Sequence, residues 1–283
     1  MTVRILSADS VRDAVERLFR RACVELPAPV RAALEKARER EDSPLAEGVL
    51  GDLIENCAIA SEEGIPLCQD CGQAVLFADL GQEVRFEGGD LNEAIREGVR
   101  RAYLGGYLRK SVVLDPLFDR KNSGDNTPPV VHWRIVPGDR VRLSAAPKGM
   151  GSENMSRIGM LKPSDGVEGV LGFVVETVRL AGPNPCPPTI LGVGIGGTFE
   201  SCALTAKRAL LRSLGEPNPD PRYAELEARI LAECNRLGIG PAGYGGRATV
   251  LGVHLEPLPT HIAGMPVAVN CCCWACRHAE EVL

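Results

Sequence analysis

The hydrophobic period changes once along this chain, near Gly64, and that change restricts the fold more than any single motif. Before it, apolar residues recur every three or four positions. Val11, Val15, Leu18, Phe19, Ala22 and Leu26 share one helical face, with Ser10 suited to N-capping. A second helix is expected from about Pro29. A third is expected from Ser43-Pro44, where a capping serine precedes proline at the first helical position. It carries Leu45, Val49, Leu53, Ile54 and Cys57 and stops at Gly64. Beyond that point the chain alternates short apolar strands, helices and glycine-rich turns. The pattern predicts a strand over Ala74–Leu80, a helix over 90–104, and a hairpin around Pro137-Gly138-Asp139 with arms Val130–Ile135 and Val141–Leu143. Helices are expected near 165–180, 199–214 and 221–237, and strands near 189–195, 248–255 and 266–270. The fold class is therefore mixed α/β of the α+β kind: a helical N-terminal part followed by mixed or antiparallel sheets with packed helices. With no repeat, low-complexity tract or linker, residues 1–283 are expected to form one domain divisible into two packed α/β lobes.

A net charge of −5 gives no general attraction for nucleic acid or an anionic membrane, so an anionic ligand would need a local basic site. The start Met1-Thr2-Val3-Arg4 leads into an amphipathic stretch rather than an export signal. No apolar run is long enough to span a bilayer, and a cytoplasmic protein is expected. Eleven cysteines in such a chain, an odd number that includes the run Cys271-Cys272-Cys273, argue for metal ligation over a disulfide framework. Cys23, Cys57, Cys202 and Cys234 lie within helical patterns and read as small buried hydrophobes.

Three segments place thiols in turns or at strand ends: Pro66–Gly72 with Cys68 and Cys71, Pro183–Pro188 with Cys186, and Asn270–Cys276 with Cys271, Cys272, Cys273 and Cys276. Soft sulfur ligands suit an iron–sulfur cluster or zinc, and spacing alone does not choose between them. Cys68, Cys71, Cys273 and Cys276 form a four-cysteine zinc pattern, although most of the chain separates its two halves. A zinc-stabilised binding module is therefore one alternative. A nucleotide-dependent oxidoreductase is another, because Gly192–Gly197 matches the dinucleotide-binding glycine pattern. There, however, the following helix leads to another helix rather than to a strand, so tight turning and close packing explain the glycines better.

The chain resembles the α subunit of the two-subunit, iron–sulfur hydro-lyases of the class I fumarate hydratase and L-tartrate dehydratase family. The likeness is carried by Cys68-Gln69-Asp70, Leu108–Ser111, Asn122–Pro129, Pro147–Asn154, Cys186-Pro187-Pro188, and the stretch from His261 to Cys273. It implies a [4Fe–4S] cluster held by Cys68, Cys186 and Cys273, with one iron open. It also implies His261 as an active-site histidine and Gln69, Asp70 and Arg109 at the substrate site. Asp70 and His261 are expected to act as a catalytic, proton-handling pair, with Gly149 and Gly151 offering bare backbone to a ligand. An open iron can act as a Lewis acid on a hydroxy acid, and a guanidinium can grip a carboxylate. The resemblance further implies a separate β subunit that completes the active site, in an α2β2 assembly acting on a small dicarboxylic acid. Fumarate/L-malate is the first expectation, L(+)-tartrate the second, and mesaconate a further possible substrate. The chain departs from the family pattern at Cys71, where threonine is usual, and in the cysteines crowding Cys273. His132, His254 and His278 lack comparable context and read as structural or surface residues.

Overall fold

The computed structural model describes residues 3–283; Met1 and Thr2, where the stretch read as lacking an export signal begins, lie outside the described residues. In chain order the elements are β1 Arg4–Ser7, α1 Ala8–Val24, α2 Ala28–Glu39, α3 Pro44–Glu63, β2 Gln73–Gly81, β3 Val84–Glu87, α4 Leu91–Gly105, β4 Val130–Val136 and β5 Val141–Lys148. There follow α5 Met150–Glu153, β6 Arg157–Leu161, α6 Gly166–Ala181, β7 Thr189–Gly196, α7 Phe199–Ala209, α8 Pro221–Arg236, β8 Val250–Leu258, β9 Met265–Cys272 and β10 Ala279–Val282. This is the mixed α/β class that the change of period requires. The chain forms two compact units interleaved in sequence. The first takes the N-terminal stretch through Pro27, Cys57–Met150 and Arg277–Leu283; the second takes Ala28–Asn56 and Gly151–Cys276. Among the described residues, no helix is long and apolar enough to cross a membrane.

In the first unit a four-stranded sheet runs in the order β10-β5-β2-β4, beside a two-stranded parallel pair of β1 and β3. Helix α1 buries the stripe Val11, Val15, Leu18, Phe19 and Ala22, as its 3.6-residue period dictates. Its cap is Ser7 rather than Ser10: Ser7 Oγ accepts the Ser10 N–H, so Ser10 already lies in the first turn. Helix α4 is capped by Asp90 and crosses α1 closely at Gly98, where a Cβ would stand 2.5 Å from the Arg12 carbonyl.

The expected hairpin around Pro137–Asp139 is not formed, because β2 lies between its two arms. Strand β4 pairs with β2 in parallel and β5 pairs with β2 antiparallel. The connection passes over the end of β2, where Gly81 N–H donates to Arg140 O at 2.8 Å. A Cβ on Gly81 would lie 2.4 Å from Gly138 O, so the crossing requires a bare backbone. Two strand spacings, about 10 Å, are within reach of four residues.

In the second unit the sheet order is β6-β9-β7-β8, with β7 and β8 parallel and the other pairs antiparallel. Alternation sends Leu191, Val193, Val267, Val269 and Cys271 into one core with Val174 of α6 and Ile230 of α8. The opposite face meets α7 through Cys202, Ala206 and Ala268. Here the glycine pattern has a packing explanation: a Cβ on Gly192 would lie 2.0 Å from Ala206 O, and one on Gly194 2.4 Å from Cys202 O. Helix α7 ends at Ala209, short of the expected 214. Helix α3 starts after Ser43 as expected, but its buried positions are Ala46, Leu50, Cys57 and Ala60, whereas Leu45 is exposed.

Candidate active site

In the first unit the turn before β2 carries Cys68, Gln69 and Asp70. Leu67 N–H bonds Cys23 O at 2.9 Å, tying the turn to the end of α1. The Tyr103 hydroxyl of α4 lies 3.1 Å from Cys71 O and 3.0 Å from Gly72 O. Gly72 has φ +79°, and a Cβ there would stand 2.6 Å from Lys148 N, so the turn closes onto β5 only with glycine at this position. Asp70 clasps the same junction. Its Oδ1 accepts from Gly72 N–H at 3.0 Å and its Oδ2 from Met150 N–H at 2.8 Å, while its backbone carbonyl accepts from the Arg277 guanidinium. Gly149 lies against this carboxylate, with Oδ2 3.1 Å from where its Cβ would be. Cys68 is half-buried and its Sγ lies 3.5 Å from Gln69 Oε1; Gln69 itself is exposed.

Arg109 is exposed on irregular chain just after α4, and its backbone N–H donates to Cys71 Sγ at 3.1 Å. Cys71 is thus committed inside the core. Burial pushes its thiol pKa up, against the hydrogen bond from Arg109 and the charge of Arg277.

In the second unit Cys186 is exposed, in a turn after α6 where it adopts φ +54°. A side chain in this region signals a constrained turn. Trp274 N–H reaches Cys186 O at 3.4 Å, so the residue after Cys273 is joined to the Cys186 turn. Cys273 lies just past the end of β9 and is half-buried. Two of the cysteines around it are turned to backbone carbonyls. Cys271 Sγ lies 3.6 Å from Met155 O, and Cys276 Sγ 3.9 Å from Leu210 O. Gly151 is exposed, with room for a side chain: Asn184 O is 3.7 Å from a Cβ there. His261 lies exposed in the loop between β8 and β9, and its Nδ1 accepts from Ala263 N–H at 3.1 Å, leaving the ring proton on Nε2. Asp70 and His261 belong to different units.

The eleven cysteines divide by environment, and none is in a disulfide. Cys68 and Cys273 are half-buried, Cys186 is exposed, and the other eight are buried. Burial pushes the thiols of Cys23 and Cys234 up to about 12 and that of Cys202 up to about 11, which keeps them protonated and unsuited to ligation. Among the described residues, no three His, Cys, Asp or Glu side chains gather closely enough to hold a single metal ion. The four-cysteine zinc set also fails on Cys71 and Cys276, whose sulfurs are buried and turned to backbone carbonyls. A four-iron cluster makes a different demand, because it takes each thiolate on a separate iron. Three accessible thiols in turns fit that donor chemistry.

Sequence reasoning passed over several supporting residues. Glu153 pairs with Lys207 of α7 and accepts from Asn270 Nδ2 at 2.8 Å; Asn270 also donates to Ser156 Oγ at 2.9 Å. This network braces the end of β9 that leads to Cys273. Glu153 and Asn270 lay within the recognised motifs, whereas Lys207 and Ser156 carried no local signal. His254 is buried, with Nδ1 3.1 Å from Ala209 O, and His132 stacks near Phe77, consistent with structural roles. A cleft of about 740 Å³ between α2, α8 and β8 contains none of the candidate residues.

The sequence profile of the fumarate hydratase (Fumerase) family matches residues 12–282. A protein of Methanocaldococcus jannaschii named "Putative L(+)-tartrate dehydratase subunit alpha" is 42% identical over 274 residues, covering 95% of this chain and 96% of that protein. "L(+)-tartrate dehydratase subunit alpha" of Escherichia coli O157:H7 is 36% identical over 256 residues, covering 89% of this chain and 84% of its own. The corresponding protein of Escherichia coli strain K12 is 35% identical over the same length. A match of this extent over nearly the whole chain, with the motif cysteines set in accessible turns, makes this protein a member of the fumarate hydratase (Fumerase) family of hydro-lyases.

Proposed function

We propose that this chain is the α subunit of an iron–sulfur hydro-lyase that removes water from a small hydroxydicarboxylic acid, with L(+)-tartrate as first substrate and L-malate/fumarate as second. The observation that carries the reading is the division of the cysteines. The three that match the family's cluster ligands, Cys68, Cys186 and Cys273, are the three of eleven that are not buried. The sequence reading placed fumarate first. The names of the relatives favour L(+)-tartrate and support a second, β-type subunit; an α2β2 assembly is part of the proposal. Substrates differing by one hydroxyl are distinguished by pocket contacts, some of which a partner would supply.

Cys68, Cys186 and Cys273 would hold a [4Fe–4S] cluster, which when bound would supply one open iron as a Lewis acid for a hydroxy acid. The chain's own residues supply the rest of the chemistry assigned to this subunit. Arg109 extends an exposed guanidinium suited to the remote carboxylate. Gln69 offers an amide beside Cys68. Asp70 keeps the Cys68 turn in shape through both carboxylate oxygens and, with His261, forms the proposed proton-handling pair; Nε2 is the histidine nitrogen available to a substrate. Gly151, exposed and with room for a side chain, leaves backbone uncovered where a substrate would approach, while Gly149 lies against the Asp70 carboxylate.

The test is anaerobic purification with and without a co-expressed β-type subunit, followed by iron and sulfide analysis, visible absorption, and turnover of L(+)-tartrate and L-malate. A brown complex that dehydrates tartrate faster than malate, with the isolated chain inactive, is the expected result. Faster malate turnover restores the fumarate reading. Colourless, iron-free protein after anaerobic reconstitution sinks the hydro-lyase assignment, and full activity of the isolated chain sinks the requirement for a partner.

A further inference from the structure

The segment Asn122–Pro129 is among the stretches that mark the family resemblance, yet none of its residues has a role in the chemistry above. Asn126 lies at its centre and is fully buried, at 0% exposure, with φ +63°. Its amide is used at both ends. Oδ1 accepts from Ser111 N–H at 2.7 Å, and Nδ2 donates to Gly72 O at 3.1 Å. One side chain therefore joins the irregular chain that carries Arg109 to the turn that carries Cys68. The linkage has a firm base. The adjacent Asp125 accepts from Arg100 Nε of α4 at 2.9 Å and from Thr127 N–H at 3.0 Å, and Gly72 O also meets the Tyr103 hydroxyl at 3.0 Å.

From this geometry we infer that Asn126 is a positioning residue: it locks the substrate-binding Arg109 in register with the turn holding the cluster ligand Cys68. The inference rests on the functional reading above for what those two residues do. Arg109 has no helix or strand of its own; its N–H bonds Cys71 Sγ. Its neighbours are tied by Leu108 N–H to Tyr103 O at 3.0 Å and by Asn122 Nδ2 to Lys110 O at 3.0 Å, but of these side-chain ties the one from Asn126 also reaches the Cys68 turn. A long side chain on irregular backbone spends much of its time out of place unless the backbone is held. The position also demands asparagine chemically. It needs an acceptor and a donor on a short side chain, and a residue that tolerates a left-handed backbone. Aspartate lacks the donor, so it would set a carboxylate oxygen against Gly72 O. Glycine keeps the backbone and loses both bonds.

The test uses Asn126→Gly and Asn126→Asp in the complete complex, with hydrogen exchange followed in the peptide containing Ser111 and kinetics measured on L(+)-tartrate and L-malate. The Ser111 amide should be protected in the wild type and exchange at least ~10-fold faster in Asn126→Gly, the effect of losing about one net hydrogen bond. KM should rise ~10-fold while kcat changes less than about threefold and iron per chain is unchanged, the pattern of lost carboxylate gripping. Combining Asn126→Gly with Arg109→Lys should cost little more than Arg109→Lys alone, since the two act through one contact. Unchanged exchange at Ser111, or strictly additive kinetic effects, would overturn the inference. So would loss of the native circular dichroism spectrum and melt in both variants, which would make Asn126 a folding residue. A wild-type complex that turns over neither acid would sink the functional reading instead, and the exchange measurement would still decide whether Asn126 joins the two turns.

Discussion

Replacing Asp70 by asparagine tests the candidate site at its most constrained point. In the native turn each carboxylate oxygen accepts a backbone N–H, Oδ1 from Gly72 at 3.0 Å and Oδ2 from Met150 at 2.8 Å. Asparagine has one carbonyl oxygen. Its NH2 must face the other N–H, and either orientation leaves one donor without an acceptor. Gly72 is buried whereas Met150 is 39% exposed, so the amide should turn its oxygen to Gly72 and leave the Met150 N–H, which water can reach. A hydrogen bond to a charged group contributes about 1.5–3 kcal/mol, and solvent access puts this loss near the lower end, at about 1.5–2 kcal/mol. For a chain of this size that is a fall in Tm of about 2.5–3.5 °C. Calorimetry and urea unfolding should agree on the value with the denaturant slope unchanged. A melt indistinguishable from wild type would refute the clasp described here. Parallel kinetics separate the two roles of Asp70: iron retained with turnover lowered beyond the stability loss supports proton handling, whereas a stability loss alone leaves Asp70 as the residue that holds the turn.

Cys273→Ala should lose iron and visible absorption after anaerobic reconstitution, while Cys71→Ser and Cys276→Ser keep both; iron content per chain decides, and loss from Cys71→Ser would reassign a ligand. Gly194→Ala should destabilise by about 2–3 kcal/mol, since its methyl would press on the Cys202 carbonyl and push α7 away from β7; a thermal melt within 0.5 kcal/mol of wild type, on the order of ordinary surface substitutions, would refute that packing. Burial by itself would raise the Asp125 carboxyl, but hydrogen bonds from Arg100 and Thr127 outweigh it and hold the group below the usual carboxylate range. The unfolded chain then binds the proton more readily, so this stabilisation is complete above about pH 4 and is lost as pH falls through the folded value. Asp125→Asn should accordingly be less stable at neutral pH and lose less on further acidification, as measured by urea unfolding at several pH values.

Much of this could be read without coordinates. The 3.6-residue stripe of α1, the proline start of α3 and the glycine that ends it follow from local sterics and burial, which neighbouring residues dictate. The cysteines within helical patterns, Cys23, Cys57, Cys202 and Cys234, are buried as the pattern predicts, because a thiol on an apolar stripe is buried wherever the helix packs. The error at Ser10 was also local, a choice between two serines three residues apart, decided by which one had extended backbone.

What the sequence determined by itself was therefore the fold class, the buried face of α1, the family and the small set of candidate thiol ligands. Tertiary structure alone decided which strands are neighbours: the arms at Val130–Val136 and Val141–Lys148 look like a hairpin until β2 claims the space between them, because pairing partners are chosen by burial across the whole sheet. Tertiary structure also separated Cys68 from Cys71 and made Asp70 a clasp between Gly72 and Met150. It likewise brought Asn126 between Ser111 and Gly72. A hydrogen bond between residues distant in sequence leaves no periodic trace in the chain, and only the folded path brings its donor and acceptor within 3 Å or so of each other.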